Sequence, residues 1–150
     1  MAEGKEAAPG DDGVGPINEI VGFHIRLAHG AVYRHFMETF AHLDLTQKQV
    51  SVLWLVFDHP GIAQTDLARR LQMDRATVMA IVNRLQDRDY LERGRSDVDR
   101  RRQTLFLRPL GEIALRDARK AVRDHEKWLT SRFNKREVQQ LVRLLSRIHE

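Results

Sequence analysis

Residues 91–107 read Leu91-Glu92-Arg93-Gly94-Arg95-Ser96-Asp97-Val98-Asp99-Arg100-Arg101-Arg102-Gln103-Thr104-Leu105-Phe106-Leu107. The two ends, 91–95 and 103–107, break the helical period that governs the rest of the chain and read as short strands joined by a polar link. From Arg93 to Arg108, six Arg stand against two Asp within sixteen residues, so the hairpin is basic. Just before it lie two short helical segments, about Thr65 to Leu71 and Arg75 to Arg88, with Asp74 placed to cap the second. Two short helices followed by a basic hairpin form the pattern of a winged helix-turn-helix. In that arrangement the second helix enters the major groove and the wing follows the backbone or reaches into the minor groove.

The charge distribution supports this reading. The chain of 150 residues has a net charge of only +4, and its 25 basic residues are 20 Arg and 5 Lys. A codon bias can raise Arg everywhere, so position is more informative than number. Between Gln64 and Arg108 eleven Arg oppose seven acidic residues, and that third of the chain carries the entire net charge. Arg offers planar, bidentate contact to phosphate and guanine. The plainer alternative is a solvated hairpin whose Arg side chains pair with local Asp; the adjoining helix-turn-helix argues against it.

Outward from this centre the pattern is helical. A first helix is expected from about Ile17 to His42, with Ile17, Val21, His24, Ala28, Ala31, His35, Thr39 and His42 on one face. A second starts at Thr46, where Gln49 three residues on completes a capping box. It carries Val50, Leu53, Trp54 and Phe57 inward and stops before Pro60. A long amphipathic helix runs from about Leu110 to Phe133, and Asn134 with Glu137 opens a last one. The fold class is therefore mainly α with a two-stranded β-wing.

Composition narrows the function. With 42% hydrophobic and 31% charged residues, the chain suits one globular domain. No apolar run approaches the roughly 18 residues of a membrane span. Residues 1–15 lack the features of a secretory signal and read as a disordered tail, so a cytoplasmic protein with no membrane partner is expected. Without Cys, thiol catalysis and disulfides are excluded. No glycine-rich phosphate loop or Ser-His-Asp setting is present, and Asp97 and Asp99 lie among Arg, a poor place for a raised carboxylate pKa. Neither an enzyme nor a cofactor is expected.

Leu67-Ala68, Arg75-Ala76-Thr77-Val78, Asn83-Arg84-Leu85, Leu91-Glu92-Arg93 and Asp99-Arg100-Arg101 together resemble the MarR family of bacterial transcriptional regulators. The specific element is Asp99 followed two residues later by Arg101, and the resemblance extends from about Ile17 to Glu150. Two positions depart from it. Asp89 stands where the family usually has Gly at a left-handed helix end. Pro109 replaces Thr ahead of Gly111, and proline is tolerated in a first helical turn.

The resemblance implies a DNA surface made of Arg75, Ala76, Thr77, Met79, Asn83 and Arg84 on the recognition helix. Thr77 and Asn83 would reach phosphate or base edges, while Val78, Ile81, Val82 and Leu85 would face the core. Arg101 resembles the minor-groove Arg of the wing tip, oriented by Asp99, and Arg95, Arg100 and Arg102 are phosphate candidates. Residues 16–45 and 109–150 would flank the DNA-binding region 46–108 and intertwine in a homodimer on a near-palindromic double-stranded operator. Phe23, Tyr33, Phe36 and Phe40 at the front, with Trp128, Phe133, Leu141, Val142, Leu144 and Leu145 at the back, would supply the apolar dimer surface.

The family also implies a small effector. His24, His35, Trp54, Arg116 and Arg119 could line a pocket for an aromatic or phenolic acid that releases a repressor from DNA. The His- and Arg-rich stretch Gly22–His29 is similar to that of regulators of aromatic-acid catabolism. The His residues could instead border a packed interface. A metal-responsive regulator is a further alternative, although His24, His29, His35 and His42 are spaced five, six and seven apart rather than three or four. An effector-independent architectural DNA-binding protein is another.

Overall fold

The computed structural model describes Gly13 and residues 15–150; apart from Gly13 and Gly15, the expected tail lies outside the described residues. The first helix is divided more finely than its periodicity implies. A 3-10 turn at Gly15–Glu19 precedes α1 (Val21–Phe40), and a second 3-10 turn covers Ala41–Leu43. Asp44, at φ +49, turns the chain before the next helix. The chain divides into two units, one ending at His35 and one beginning at Phe36.

In the first unit the ring contacts are local. Phe23 meets His24 edge to face, Arg26 lies over Phe23, and His29 stacks on Tyr33 one turn away. Val21, Ile25 and Leu27 are exposed.

The second unit contains the core. Thr46 caps α2 (Gln47–Asp58) through the expected reciprocal box: Gln49 N–H donates to Thr46 Oγ1 at 3.1 Å, and Thr46 N–H donates to Gln49 Oε1 at 3.0 Å. Strand β1 (Ile62–Ala63) leads directly into α3 (Gln64–Arg70), followed by α4 (Arg75–Asp87), β2 (Leu91–Arg95), β3 (Gln103–Leu107), α5 (Pro109–Thr130) and α6 (Lys135–His149). The sheet has the order β1-β3-β2, with Ile62 opposite Leu105 and Leu91 opposite Leu107. It therefore adds a third, two-residue strand to the expected wing pair. That strand is too short to show a period of two.

Phe40, Leu53, Val56, Leu67, Val82, Leu85, Leu91, Leu105 and Leu115 are almost wholly removed from water; each such side chain contributes on the order of 1.5–3 kcal/mol of burial. Phe36 and Phe40 require a correction. Their rings stack at 3.9 Å and belong to this core, because positions i and i+4 at the end of α1 face the chain's own interior. They are not surplus surface for a partner. The rest of the expected set differs: Phe133, Leu141, Val142, Leu144 and Leu145 are exposed, and α6 buries no residue.

Two glycine-related positions fix how the wing joins the helices. Asp89 takes φ +60 after α4. Tyr90 N–H then bonds Leu85 O and Asp89 N–H bonds Gln86 O, both at 2.9 Å. This is a Schellman closure with Asp in the glycine place. Pro109 occupies the first turn of α5, and Gly111 lies against Tyr90 so closely that a Cβ there would sit 2.1 Å from its carbonyl oxygen. That carbonyl is fixed by Arg108 N–H at 3.0 Å.

Substitutions at the two sites should act in opposite directions. Gly111→Ala should destabilise by about 1–3 kcal/mol, since backbone must move, whereas Asp89→Gly should stabilise by roughly 0.5 kcal/mol through relief of the left-handed strain. Urea denaturation of both variants measures this, and an unchanged midpoint for Gly111→Ala would contradict the close approach.

Candidate nucleic-acid interface

Helix α4 is built to hold one face in the core and offer the other. Val78, Val82 and Leu85 are buried and Ile81 is half-buried, as their spacing requires. Arg75, Ala76, Met79 and Asn83 are exposed on α4. Met79 is 50% exposed. Arg84 is also exposed, but it lines a cleft of about 450 Å³ with Met37, Asp87 and Arg88, away from the leading residues of the helix.

Thr77, expected to reach phosphate or base edges, takes part in the cap of α4. Its backbone N–H donates to Asp74 Oδ1 at 2.7 Å and its hydroxyl donates to Asp74 Oδ2 at 2.9 Å. The hydroxyl proton is thus used in capping α4. These two hydrogen bonds, the backbone one foremost, hold the Asp74 carboxyl below its ordinary value.

The wing is closed by its own side chains. Ser96 Oγ accepts the N–H groups of Val98 and Asp99, each at 3.2 Å, and Asp99 Oδ1 accepts Arg101 N–H at 3.0 Å. Arg102 N–H bonds Asp99 O at 3.0 Å. Asp99 therefore shapes the tip rather than facing phosphate, and Arg100 and Arg101 are exposed there. Arg95 is exposed at the end of β2 opposite Gln103. Arg102, expected on phosphate, instead donates to Asp66 Oδ2 of α3 at 2.6 Å. An exposed pair of this kind adds little stability; its effect is to tie the wing to α3.

Arg93 was not among the expected site residues, although it touches three residues of the two short helices. Its Nη2 donates to Asn83 Oδ1 at 2.7 Å, its Nη1 to Gln86 Oε1 at 2.6 Å, and its Nε to Gln64 Oε1 at 3.4 Å. A signal for it lies in the strand period: Arg93 is two residues from buried Leu91 and pairs with buried Leu105, so it shares their inward face.

The expected effector residues are only partly brought together. Arg119 of α5 lies 4.8 Å from the Trp54 ring centre and 4.5 Å from that of Phe57, with Asp58 Oδ1 at 3.5 Å. Its Nε is buried and has no hydrogen-bond partner among the described residues. Beside it is an open cleft of about 640 Å³ lined by Phe57, Ile113, Leu115, Arg116, Arg119 and Arg123. His24 and His35 belong to the first unit, where His24 Nε2–H donates to Asn18 O at 2.5 Å. His125 is buried, edge-on to Phe36 and stacked on Trp128. Among the described residues no three His, Cys, Asp or Glu side chains converge to hold a metal ion, and no helix is long and apolar enough to cross a membrane.

A half-exposed helix at the front of a helix-turn-helix, flanked by a basic wing, defines a winged-helix DNA-binding protein. Comparison with known proteins agrees. A sequence profile of the MarR family matches residues 43–102. A protein assigned as transcriptional regulator of the hcr operon of Thauera aromatica is 30% identical over 130 residues, spanning 86% of this chain and 78% of that one. The repressor CouR bound to a 23-mer DNA duplex superimposes with a TM-score of 0.84 at 31% identity, covering 97% of this chain and 99% of that one. CouR has also been seen bound to p-coumaroyl-CoA, with a TM-score of 0.83, 30% identity, and 91% and 96% of the two chains covered. BpsR of Bordetella bronchiseptica, whose DNA binding is regulated by 6-hydroxynicotinic acid, gives 0.84 at 25% identity, over 89% of this chain and 95% of that one. The chain belongs to the MarR family of DNA-binding transcriptional regulators and is not an enzyme.

The depressed Asp74 carboxyl has a measurable consequence. A carboxyl lowered on folding contributes stability above its unfolded value, near pH 4, and loses it as pH falls through the folded value. The stability advantage of the wild type over Asp74→Asn should therefore be full at about pH 6 and shrink toward pH 3. Thermal melts across that range test this; a gap independent of pH would remove the charged cap.

Proposed function

We propose that the protein is a homodimeric repressor whose grip on a near-palindromic operator is released by a small aromatic or phenolic acid, free or as a thioester. The observation that carries the DNA side is the pairing of an exposed leading face on α4 with free Arg100 and Arg101 at the wing tip. Arg75 and Asn83 face the major groove, with Ala76 and Met79 making apolar contact. Arg101 enters the minor groove, and Arg95 and Arg100 hold phosphate. The dimer is supported by Leu141, Leu144, Leu145 and Ile148 of α6, all exposed on a helix that caps well at Asn134 yet buries none of its own residues. A second copy buries that surface and sets two α4 helices about 34 Å apart, one turn of DNA.

The effector side is supported by the cleft between α2 and α5. Arg119, over the rings of Trp54 and Phe57, lines the cleft with Phe57, Arg116, Arg123 and one acid, Glu112, an excess of cations beside an aromatic ring that suits an anionic ring compound. The ligands of CouR and BpsR are of that chemical class. Release follows if the bound ligand favours a spacing of the two α4 helices that no longer fits successive major grooves.

Fluorescence anisotropy with duplexes from the DNA upstream of its own reading frame, and scrambled controls, tests both halves. Arg101→Ala should weaken binding to all duplexes alike and reduce the log–log salt slope by about 2, about 1 for each protomer of the dimer. Arg119→Gln should leave DNA affinity unchanged while raising the concentration of aromatic acid needed for release about tenfold, the loss of one charged hydrogen bond. Equal, weak binding to all duplexes with no response to any acid would favour an architectural protein. Loss of binding on chelation would favour a metal sensor.

A further inference from the structure

Arg93 belongs to the wing strand, yet all three of its recorded partners are amide side chains of the two short helices: Asn83 and Gln86 of α4 and Gln64 of α3. Chemistry fixes how those amides are turned. A guanidinium has five N–H donors and no acceptor, so each amide must face it with its carbonyl oxygen and turn its NH2 group away. The bonds to Asn83 and Gln86, at 2.7 and 2.6 Å, are short and charge-assisted, the stronger kind of hydrogen bond. Asn83 and Gln86 stand one turn apart on α4 and both remain exposed.

This matters for base reading. A free Asn or Gln recognises adenine through two parallel bonds, accepting from N6–H2 and donating to N7, which requires the oxygen and nitrogen ends to meet the base together. With the oxygen ends turned to Arg93, the NH2 groups are the ends of Asn83 and Gln86 left to face outward; each oxygen keeps a second lone pair but is held away from the pose in which it and its NH2 meet one base edge together. Donors suit guanine N7 and O6, thymine O4 or a phosphate oxygen.

We propose that Arg93 is a positioning residue that sets sequence preference: by holding the amide oxygens of Asn83 and Gln86, it makes both side chains donors and denies them paired recognition of adenine. The inference rests on the reading of α4 as the DNA-reading helix, and it assigns a specificity role to a residue outside that helix. It also places part of the base preference in the joint between wing and helix. A change in the wing strand alters what the helix reads without contact to a base.

The test is base preference, which loss of a structural support alone would not redirect. Wild type, Arg93→Met, Asn83→Ala and the double variant are each incubated with a randomised duplex pool, and the bound sequences are counted. Arg93→Met should raise the adenine-to-guanine ratio about tenfold at the position where Asn83→Ala flattens the wild-type preference, and the double variant should show no such gain. Arg93→Lys separates a clamp from a charge. A lysine keeps attraction to phosphate but lacks the rigid planar fork that fixes two amides in one geometry, so its profile should move in the same direction as that of Arg93→Met, by less. It also serves if the Met variant melts below assay temperature. If both variants lose affinity equally for every sequence and keep the wild-type profile, the proposal is overturned and Arg93 is only a support or phosphate contact. If the wild type has no preference at any position, the DNA-reading assignment of α4 fails first, which is a different result.

Discussion

Leu91 and Leu105, nearly without solvent contact, fasten the basic hairpin to the helices, and the remainder of the interface depends on that attachment. A strand of period two that buries Leu91 must turn Arg93 the same way, against α3 and α4. The alternate residues, Glu92 and Phe106, are exposed, and Glu92 meets Arg108 at 3.2 Å. A one-residue slip in register would exchange these faces, placing Glu92 against the amides of α4 and Arg93 in water. The β1–β3 pairing at Ile62 and Leu105 and the Schellman closure at Asp89 oppose such a slip from both ends.

Features governed by local chemistry were legible in the sequence. The caps at Thr46, Asp74 and Asn134, both wing strands and the left-handed Asp89 depend on residues within a few positions of one another. Those that depend on distant partners were not. Phe36 and Phe40 have the same pattern whether they meet their own core or a second copy, so sequence did not separate the two. Arg102 looked like any wing cation until Asp66, 36 residues away, was found beside it. Thr77 sits three residues after the capping Asp74, and its second bond to that carboxylate, through the hydroxyl, was not read from the sequence. For β1, two residues after Pro60-Gly61 were too few to reveal a strand.

The electrostatic consequence is a smaller and more directed positive surface than the Arg count implies. Of the eleven Arg between Gln64 and Arg108, Arg69 and Arg102 face Asp66, Arg108 faces Glu92, Arg93 serves the amides, and Arg88 bonds Asp44 O and the Tyr90 hydroxyl. Arg75, Arg95, Arg100 and Arg101 are left exposed at the leading end of α4 and on the wing, and Arg70 of α3 and Arg84 of α4 are exposed as well. Exposed pairs are weak and screened by salt, so the internal partners do not remove charge so much as fix direction. The exposed cations are therefore spread unevenly, with Arg75 at the start of α4 and Arg95, Arg100 and Arg101 on the wing.

An effector can alter DNA affinity only by binding two arrangements of the protein unequally. The cleft beside Arg119 adjoins α2 and α5, neither of which carries the expected base-reading residues, so ligand binding must be felt through packing. Contact at the start of α5 is stiff: Pro109 follows β3 by one residue, and Gly111 abuts the carbonyl of Tyr90, the residue between α4 and β2. With no slack for even a methyl group, a shift of α5 at that point has to be shared by the α4–β2 joint, because close-packed contacts transmit displacement rather than absorb it. The same joint aims Arg93 at Asn83. If α4 reads bases and a ligand binds on α5 as proposed, the geometry that sets the one and the geometry disturbed by the other meet at Tyr90.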